Sequence, residues 1–302
     1  VGERIQVTEG ATIESHDGIA CLLCGGTEHG VVFREFGVDV LRCRRCAHVF
    51  SAHDAPADYK GYWGERVVDP GEFYWDRAHR AIWQDFFDRF VTGRPPGRLL
   101  DVGCGLGYFV RAMQDTFPEW KSEGREISPA AVCYARENLG ISGVRQGRIE
   151  PGTIPGEHYD LVTMWDVLEH LKEPDPLLRT LRQALKPGGL LFLHTPNVEV
   201  QVLKAKLRRW LHGMRPSVHY LEARDHLHLY SPSTVRVLLE RCGFDAVTVF
   251  HQRPIRSVSG SRSALLSAAK DAAFAGARLL DRLSAGRINL DNLHVSARRP
   301  PS

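Results

Sequence analysis

From Arg98 onward the chain alternates short apolar runs with segments of helical spacing: RLLDVG, YFVRAMQDTF, SEGREIS, PAAVCYARENL, DLVTMWDV, DPLLRTLRQALKPGG and LLFLHTPN. A strand that rejoins its sheet in the parallel sense needs a long crossover, and helices of this length supply one. The alternation therefore specifies an α/β fold on a parallel, doubly wound sheet. Ligands of such sheets bind beyond the carboxyl ends of the strands. The loop Asp101-Val102-Gly103-Cys104-Gly105-Leu106-Gly107, which follows the first strand, is where chemistry is expected.

That loop is a dinucleotide site, a site for another adenosine-containing cofactor, or only a tight turn. A dinucleotide fingerprint needs G-x-G-x-x-G, its third glycine allowing close helix–strand packing beside a pyrophosphate. Here the spacing is Gly103-x-Gly105-x-Gly107, and Tyr108 stands in the place of the third dinucleotide glycine. Asp101 opens the loop with a negative charge, which repels pyrophosphate and suits a sulfonium or amino group. The second strand ends at Glu126, placed to accept both hydroxyls of a ribose. Taken alone, Glu126 reads equally well as a capping or solvated carboxylate; after this loop it points to an adenosine without phosphates.

The second constraint is a set of cysteines. Of seven in the 302-residue chain, four form the pairs Cys21-Leu22-Leu23-Cys24 and Cys43-Arg44-Arg45-Cys46, eighteen residues apart. C-x2-C twice at that separation supplies four thiolates to one tetrahedral zinc, closing its coordination sphere and making the ion structural. Cys104, Cys133 and Cys242 read as small buried residues. His48 and His53 read as surface or core histidines rather than substitute ligands. Arg42, Arg44 and Arg45 suit either phosphate contacts or a solvated face.

Residues 1–50 are thus expected to hold a frayed lead-in (1–20) and a zinc ribbon whose strands are Val31–Phe36 and Val38–Arg42. Residues 51–97 form an aromatic-rich connector with a helix over 73–91, its apolar face carrying Ile82, Phe86, Phe87 and Phe90. The domain 98–302 carries helical insertions near 200–225 and 258–288. A formal charge of +3 is too small to argue for nucleic acid. VGERIQVTEG lacks the apolar core of a secretory signal, and no apolar run is long enough to span a bilayer, so cytoplasmic residence is expected.

In this order, LLDVGCGLGYF, GREIS, YDLVTMWDVLEHL, LKPGGLLFLHTPN and HLHLYSPSTVRVLLERCGF resemble the class I S-adenosylmethionine-dependent methyltransferases, over about residues 98–252 and the last strand. The resemblance implies a Rossmann-like, doubly wound seven-stranded sheet with the last strand antiparallel. It implies that Gly103, Gly105 and Gly107 line the methionine and ribose of the cofactor, that Asp101 holds the ammonium side directly or through water, and that Glu126 binds the ribose. Ile127 would pack on adenine, with Arg148 and Ile149 at its edge, where many relatives carry an acidic or small residue. Trp165 and Asp166 would lie beside the sulfonium, and His170 near the cofactor. Zinc knuckles joined by DYKGYW to such a core resemble a bacterial subgroup acting in sugar, cell-surface or natural-product modification.

Methyl transfer from a sulfonium is an in-line displacement, so positioning and exclusion of water dominate. A hydroxyl acceptor or acidic carbon must also lose a proton, and histidine matches neutral pH. The candidates are His170, His194, His226 and His228, with Tyr230 expected on the face shared by His226 and His228; alternatively HLHLYSP mainly closes the pocket and leads into a helix capped by Ser231 or Ser233. Tyr59, Tyr62 and Trp63 either cover the cofactor or pack ribbon on core. The expected function is methylation of a small-molecule or glycoconjugate acceptor, on oxygen before carbon or nitrogen. An RNA methyltransferase docking through its ribbon, although the N/D-P-P-Y/F tetrad is absent, and a non-catalytic binding module are the alternatives. The basic and amphipathic stretches 200–216 and 261–283 either cover the core, touch lipid or form a homodimer interface.

Overall fold

The computed structural model describes residues 19–53, 62–67, 76–253, 272, 275–276, 278–280, 283–284 and 292–301. Tyr59, nearly all of the lead-in and most of 261–283 lie outside them. No helix among the described residues is long and apolar enough to cross a membrane.

Five strands run parallel: β4 (Arg98–Val102), β5 (Lys121–Glu126), β6 (Val144–Gln146), β7 (Tyr159–Trp165) and β8 (Leu185–Thr195). With β10 (Asp245–Phe250) and β11 (Leu293–Arg298) they form one sheet in the order β10-β11-β8-β7-β4-β5-β6. β11 is antiparallel to both its neighbours, as the resemblance implies. α2 (Tyr108–Thr116), α3 (Pro129–Glu137) and α4 (Pro174–Ala184) connect the strands, and α5 (Val198–His212) follows β8. β8 starts at Leu185, inside the stretch expected to be helical, because Gly188 at φ 74° lets the chain turn within LKPGG while Leu185 pairs with Tyr159.

The helix expected over 73–91 is α1 (Arg80–Phe90) among the described residues, with Asp76–His79 forming turns and 73–75 outside them. Its apolar face buries Ile82, Trp83, Phe86, Phe87 and Phe90 against the sheet. Phe86 is wholly buried and meets Phe192 of β8 edge-on at 4.9 Å. Each such side chain contributes roughly 1.5–3 kcal/mol by leaving water.

The N-terminal module is a small antiparallel sheet of β1 (His29–Glu35), β2 (Val38–Cys43) and β3 (Val49–Ser51). Its fourth strand, β9 (His228–Leu229), comes from the HLHLYS segment nearly 180 residues later. The cysteine knuckles carry positive φ just after each pair or at its end, Gly25 at 69° and Ala47 at 61°, which folds the four sulfurs inward. Cys21 and Cys46 sulfurs are 3.5 Å apart, as are those of Cys24 and Cys43, and all four lie within 4.8 Å of one another. Tetrahedral zinc with ~2.3 Å Zn–S bonds would set them ~3.8 Å apart, so the cradle fits. Cys104 is half-buried and Cys242 buried, whereas Cys133 is exposed, because it falls on the outer face of α3.

Polar contacts weld the ribbon to the core. The Glu35 carboxylate accepts from the amides of Leu221 and Ala223, at 3.2 and 3.0 Å. Arg241, ending α6 (Pro232–Arg241), donates to the carbonyls of Leu22 and Leu23 and pairs with Asp175. Ser231 caps α6 in a reciprocal box with Thr234. Charge-assisted bonds of this kind contribute about 1.5–3 kcal/mol. Arg241→Ala is expected to lower the urea-unfolding free energy by about 2 kcal/mol, while Val237→Ala at an exposed position of α6 changes it little.

Candidate functional site

The carboxyl ends of β4, β7 and β8 open into a cavity of about 1030 Å³. Parallel register aligns its floor: Asp101 lies beside Thr163, and Trp165 beside His194. Of the expected cofactor residues, Asp101, Gly103, Gly105, Glu126, Ile127, Arg148, Ile149, Trp165, Asp166 and His170 line the cavity.

Gly107 does not. At φ 86° it caps α2, and a Cβ there would come within 2.9 Å of Ile141 and 3.1 Å of Ala135. Its place is the packing of loop against α3 and the strand beyond, which leaves no surface for the cavity. Gly105 is the opposite case: a Cβ there meets only Trp63, at 3.6 Å, so its open side faces the cavity. Tyr62 and Trp63 line the same space.

Glu126 shapes the loop. One carboxylate oxygen accepts from the Gly105 amide at 2.9 Å, and the other from Ile127 and Ser128 at 2.8 and 2.9 Å. A carboxylate has about four acceptor sites, so one remains open to a hydroxyl. Asp101 is 2% exposed and accepts from the Thr163 hydroxyl at 2.7 Å. Burial pushes its carboxyl up to about 8, the Thr163 bond opposing the rise and the Glu126 charge adding to it. A cation arriving there would restore its ionised form.

Across the cavity stands a cluster of acids and histidines. Asp166, in the left-handed region at φ 52°, approaches His194 Nδ1 at 2.8 Å. Loss of water, the largest single influence, acts to raise the Asp166 carboxyl, but the charge and hydrogen bond of His194 together with the charges of His79 and His226 hold it below its ordinary value. Asn292 lies 3.3 Å from the other His194 nitrogen. Glu169, in the single turn Leu168–His170, is 1% exposed and accepts from the Thr195 hydroxyl at 2.9 Å. Burial, then the Asp166 charge, pushes its carboxyl above the usual range. Reading the sequence passed over Glu169; its adjacency to His170 in the LEH turn was the available signal.

His226 and His170 face this cluster, their rings 4.9 Å apart. His228 and Tyr230, expected beside His226 as candidate bases, line no part of the cavity. His228 lies in β9 with both nitrogens engaged, Nε2 at 3.2 Å from the Lys172 carbonyl and Nδ1 at 3.1 Å from His48 Nε2. Donation to Lys172 makes Nδ1 the acceptor, so His48 Nε2 carries a proton. Burial pushes His48 down to about 3 and lowers His228 as well, so both are neutral at pH 7. Tyr230 is wholly buried, and burial drives its hydroxyl well above the ordinary value. The strand begins only at His228, and His226 precedes it with its amide bonded back to the Glu222 carbonyl, so the strand's alternation does not reach His226. His48 is therefore a core histidine, and His53 is half-buried.

The Methyltransferase domain family model matches residues 74–249, more than half of the chain. A probable S-adenosylmethionine-dependent methyltransferase of Mycolicibacterium smegmatis is 30% identical over 137 residues, 44% of this chain and 51% of that protein. Ubiquinone biosynthesis O-methyltransferases of Caulobacter vibrioides and Cereibacter sphaeroides (strain ATCC 17029) are each 33% identical, over 39% and 53% of this chain and 49% and 66% of their own lengths. The chain thus spans about half to two thirds of the curated relatives it matches. In fold it is similar to Haemonchus contortus phosphoethanolamine N-methyltransferase 2, solved with phosphomonomethylethanolamine and S-adenosylhomocysteine (TM-score 0.54, 18% identity, 81% of this chain and 60% of that one). It is also similar to the cyclase SpnF (TM-score 0.51, 18% identity, 83% and 99%). With the family model matched over the sheet and across the loop that opens the cavity, the chain belongs to the methyltransferase domain family.

Proposed function

We propose that the protein transfers a methyl group from S-adenosylmethionine to a hydroxyl oxygen of a small-molecule acceptor. The observation that carries this reading is one cavity with two unlike walls. The wall of β4 and β5 offers Asp101, the open side of Gly105 and Glu126, which suit an ammonium, a close-packed cofactor and a ribose. The facing wall offers Asp166 with His194, Glu169, His170 and His226, which suit a hydroxyl that must be oriented and lose its proton. The curated relatives named as O-methyltransferases favour oxygen as the acceptor atom.

In this reading Asp101 and Glu126 fix the two ends of the cofactor, and Ile127 with Ile149 covers its adenine. Trp165, packed on Phe192 at 4.6 Å, forms a rigid wall near the sulfonium. Tyr62 and Trp63 exclude water from above. S-adenosylmethionine held there would supply its methyl group to an acceptor oxygen in line with the sulfur, which would keep the carbon–sulfur electron pair as S-adenosylhomocysteine. His170 or His226 takes up the hydroxyl proton. We further propose that the four knuckle cysteines hold a structural zinc, whose closed coordination leaves it no part in the transfer.

Gly105→Arg is expected to abolish S-adenosylmethionine binding in calorimetry while leaving the circular dichroism spectrum near that of the parent and costing about 1 kcal/mol of stability, because Gly105 stands at φ 53°. Unchanged affinity would overturn the assignment of the loop.

Asp101 makes cofactor affinity pH-dependent. Below about 8 the free protein holds a proton on Asp101 that a bound ammonium must displace. Affinity should therefore fall as pH drops from 8 to 6, by up to about tenfold per unit, with a proton released on binding. Asp101→Asn should flatten that profile.

Atomic spectroscopy of the full chain is expected to find one zinc, lost in Cys43→Ser together with roughly 2 kcal/mol or more of stability. Full zinc occupancy in that variant would sink the four-cysteine assignment.

A further inference from the structure

α5 has two apolar faces. One, carrying Val198, Val202 and Ala205, is buried on the ribbon sheet with Phe33, Val40 and Val49. The other carries Leu203, Leu207, Trp210 and Leu211, which at about 3.6 residues per turn fall roughly half a turn away. These side chains are 53–79% exposed. Single exposed apolar residues are ordinary, but a continuous stripe along a helix marks a surface that a partner covers. Charge frames the stripe: Lys204 and Arg208 run along one side and Lys206 along the other, while Glu199 is the only acid of the helix. Beside it, Val32 and Phe33 of the ribbon's edge strand β1 and Lys206, Arg209 and Trp210 of α5 flank a groove of about 500 Å³. The Arg209 guanidinium lies 5.9 Å from the centre of the Phe33 ring, which sets a cation over the groove's apolar floor.

We propose that this face docks an acidic amphipathic helix of a partner protein, its apolar side laid on Leu203, Leu207 and Trp210 with one large side chain in the groove, and its carboxylates on Lys206, Arg208 and Arg209. The possible occupants differ in charge and shape. A second copy would bring the same cations against these, and like charges facing across an interface cost affinity. An anionic bilayer answers the charge, but its flat surface leaves a groove between strand and helix unfilled. An acidic helix meets both demands: its carboxylates match the four lysines and arginines of α5, and the ridge of its side chains fills the groove. Trp210 is the anchor, since an exposed indole beside arginines is the composition of an interface centre. Arg208 donates to the His219 carbonyl and keeps further N–H groups for a carboxylate. Gln201 and Arg208 also line the cavity, so the docked partner stands at its rim. Docking there requires nothing of the chemistry inside the cavity.

The test uses the full chain and a fluorescein-labelled helical peptide of about 18 residues whose Leu and Phe stripe is flanked by Glu. Its counterpart with Lys in place of Glu, and vesicles of equal parts phosphatidylglycerol and phosphatidylcholine, are the comparison probes. By anisotropy the acidic peptide should bind the parent with roughly micromolar affinity that falls several-fold as salt rises from about 50 to 300 mM; the Lys peptide should not bind. Lys206→Glu and Trp210→Ala should each weaken the acidic peptide more than about tenfold. Neither residue lines the cavity, so S-adenosylmethionine affinity should not change in either variant, and circular dichroism reports on their fold. No binding of the acidic peptide at about 100 μM, equal binding of the two peptides, or equal affinity in the parent and either variant overturns the docking surface. Cosedimentation with the vesicles, with or without peptide binding, makes the occupant a lipid surface and overturns it. A dimer in sedimentation velocity that Trp210→Ala dissolves makes the occupant a second copy and overturns it too. Should the peptide bind as expected and S-adenosylmethionine not, the docking surface stands and the methyl-transfer reading falls.

Discussion

The parallel register of β4, β7 and β8 is the constraint on which the remaining structure rests. Parallel ladders align strand ends, so Asp101 stands beside Thr163, and Trp165 beside His194, from three stretches of chain. The crossover helices that parallel pairing requires pack on the faces of such sheets, whose ligands bind at the carboxyl edge, where this cavity opens. On that edge Glu126 adds the local constraint, its carboxylate taking three backbone amides and so fixing the glycine loop against the second strand.

The second organising feature is the shared edge between the ribbon and the core. β3 accepts β9 as its neighbour, so the strand that closes the ribbon belongs to the segment that delivers His226 to the cavity. The cysteine knuckles and the cavity wall that carries His226 are thus joined: His48 and His228 form the hydrogen-bonded seam, and Arg241 and Glu35 stitch its flanks. Neutral imidazoles suit such a seam, because a buried charge there would have no partner.

Much of this was legible in the chain. The strand–helix alternation read correctly, and Gly103, Gly105 and Glu126 fall on the cavity where they were expected, because each rests on local spacing that backbone geometry translates directly. The two cysteine pairs read the same way. Where local reading failed, a long-range contact had intervened. Gly107 shares its spacing with Gly103 and Gly105, but Ile141 and Ala135 occupy the space beside it. His228 and Tyr230 follow His226 at a strand's alternation, yet the ribbon, 180 residues earlier, claims His228 through His48.

The sequence by itself determined the sheet, the loop that opens its ligand-binding edge and the cysteine quartet, since periodicity and spacing act over a few residues. Tertiary structure alone decided which histidines face the cavity, because orientation there depends on what packs behind the chain. It alone raised Glu169 from an unremarked neighbour of His170 to a buried carboxylate with one oxygen unmet, for burial is a property of the folded whole.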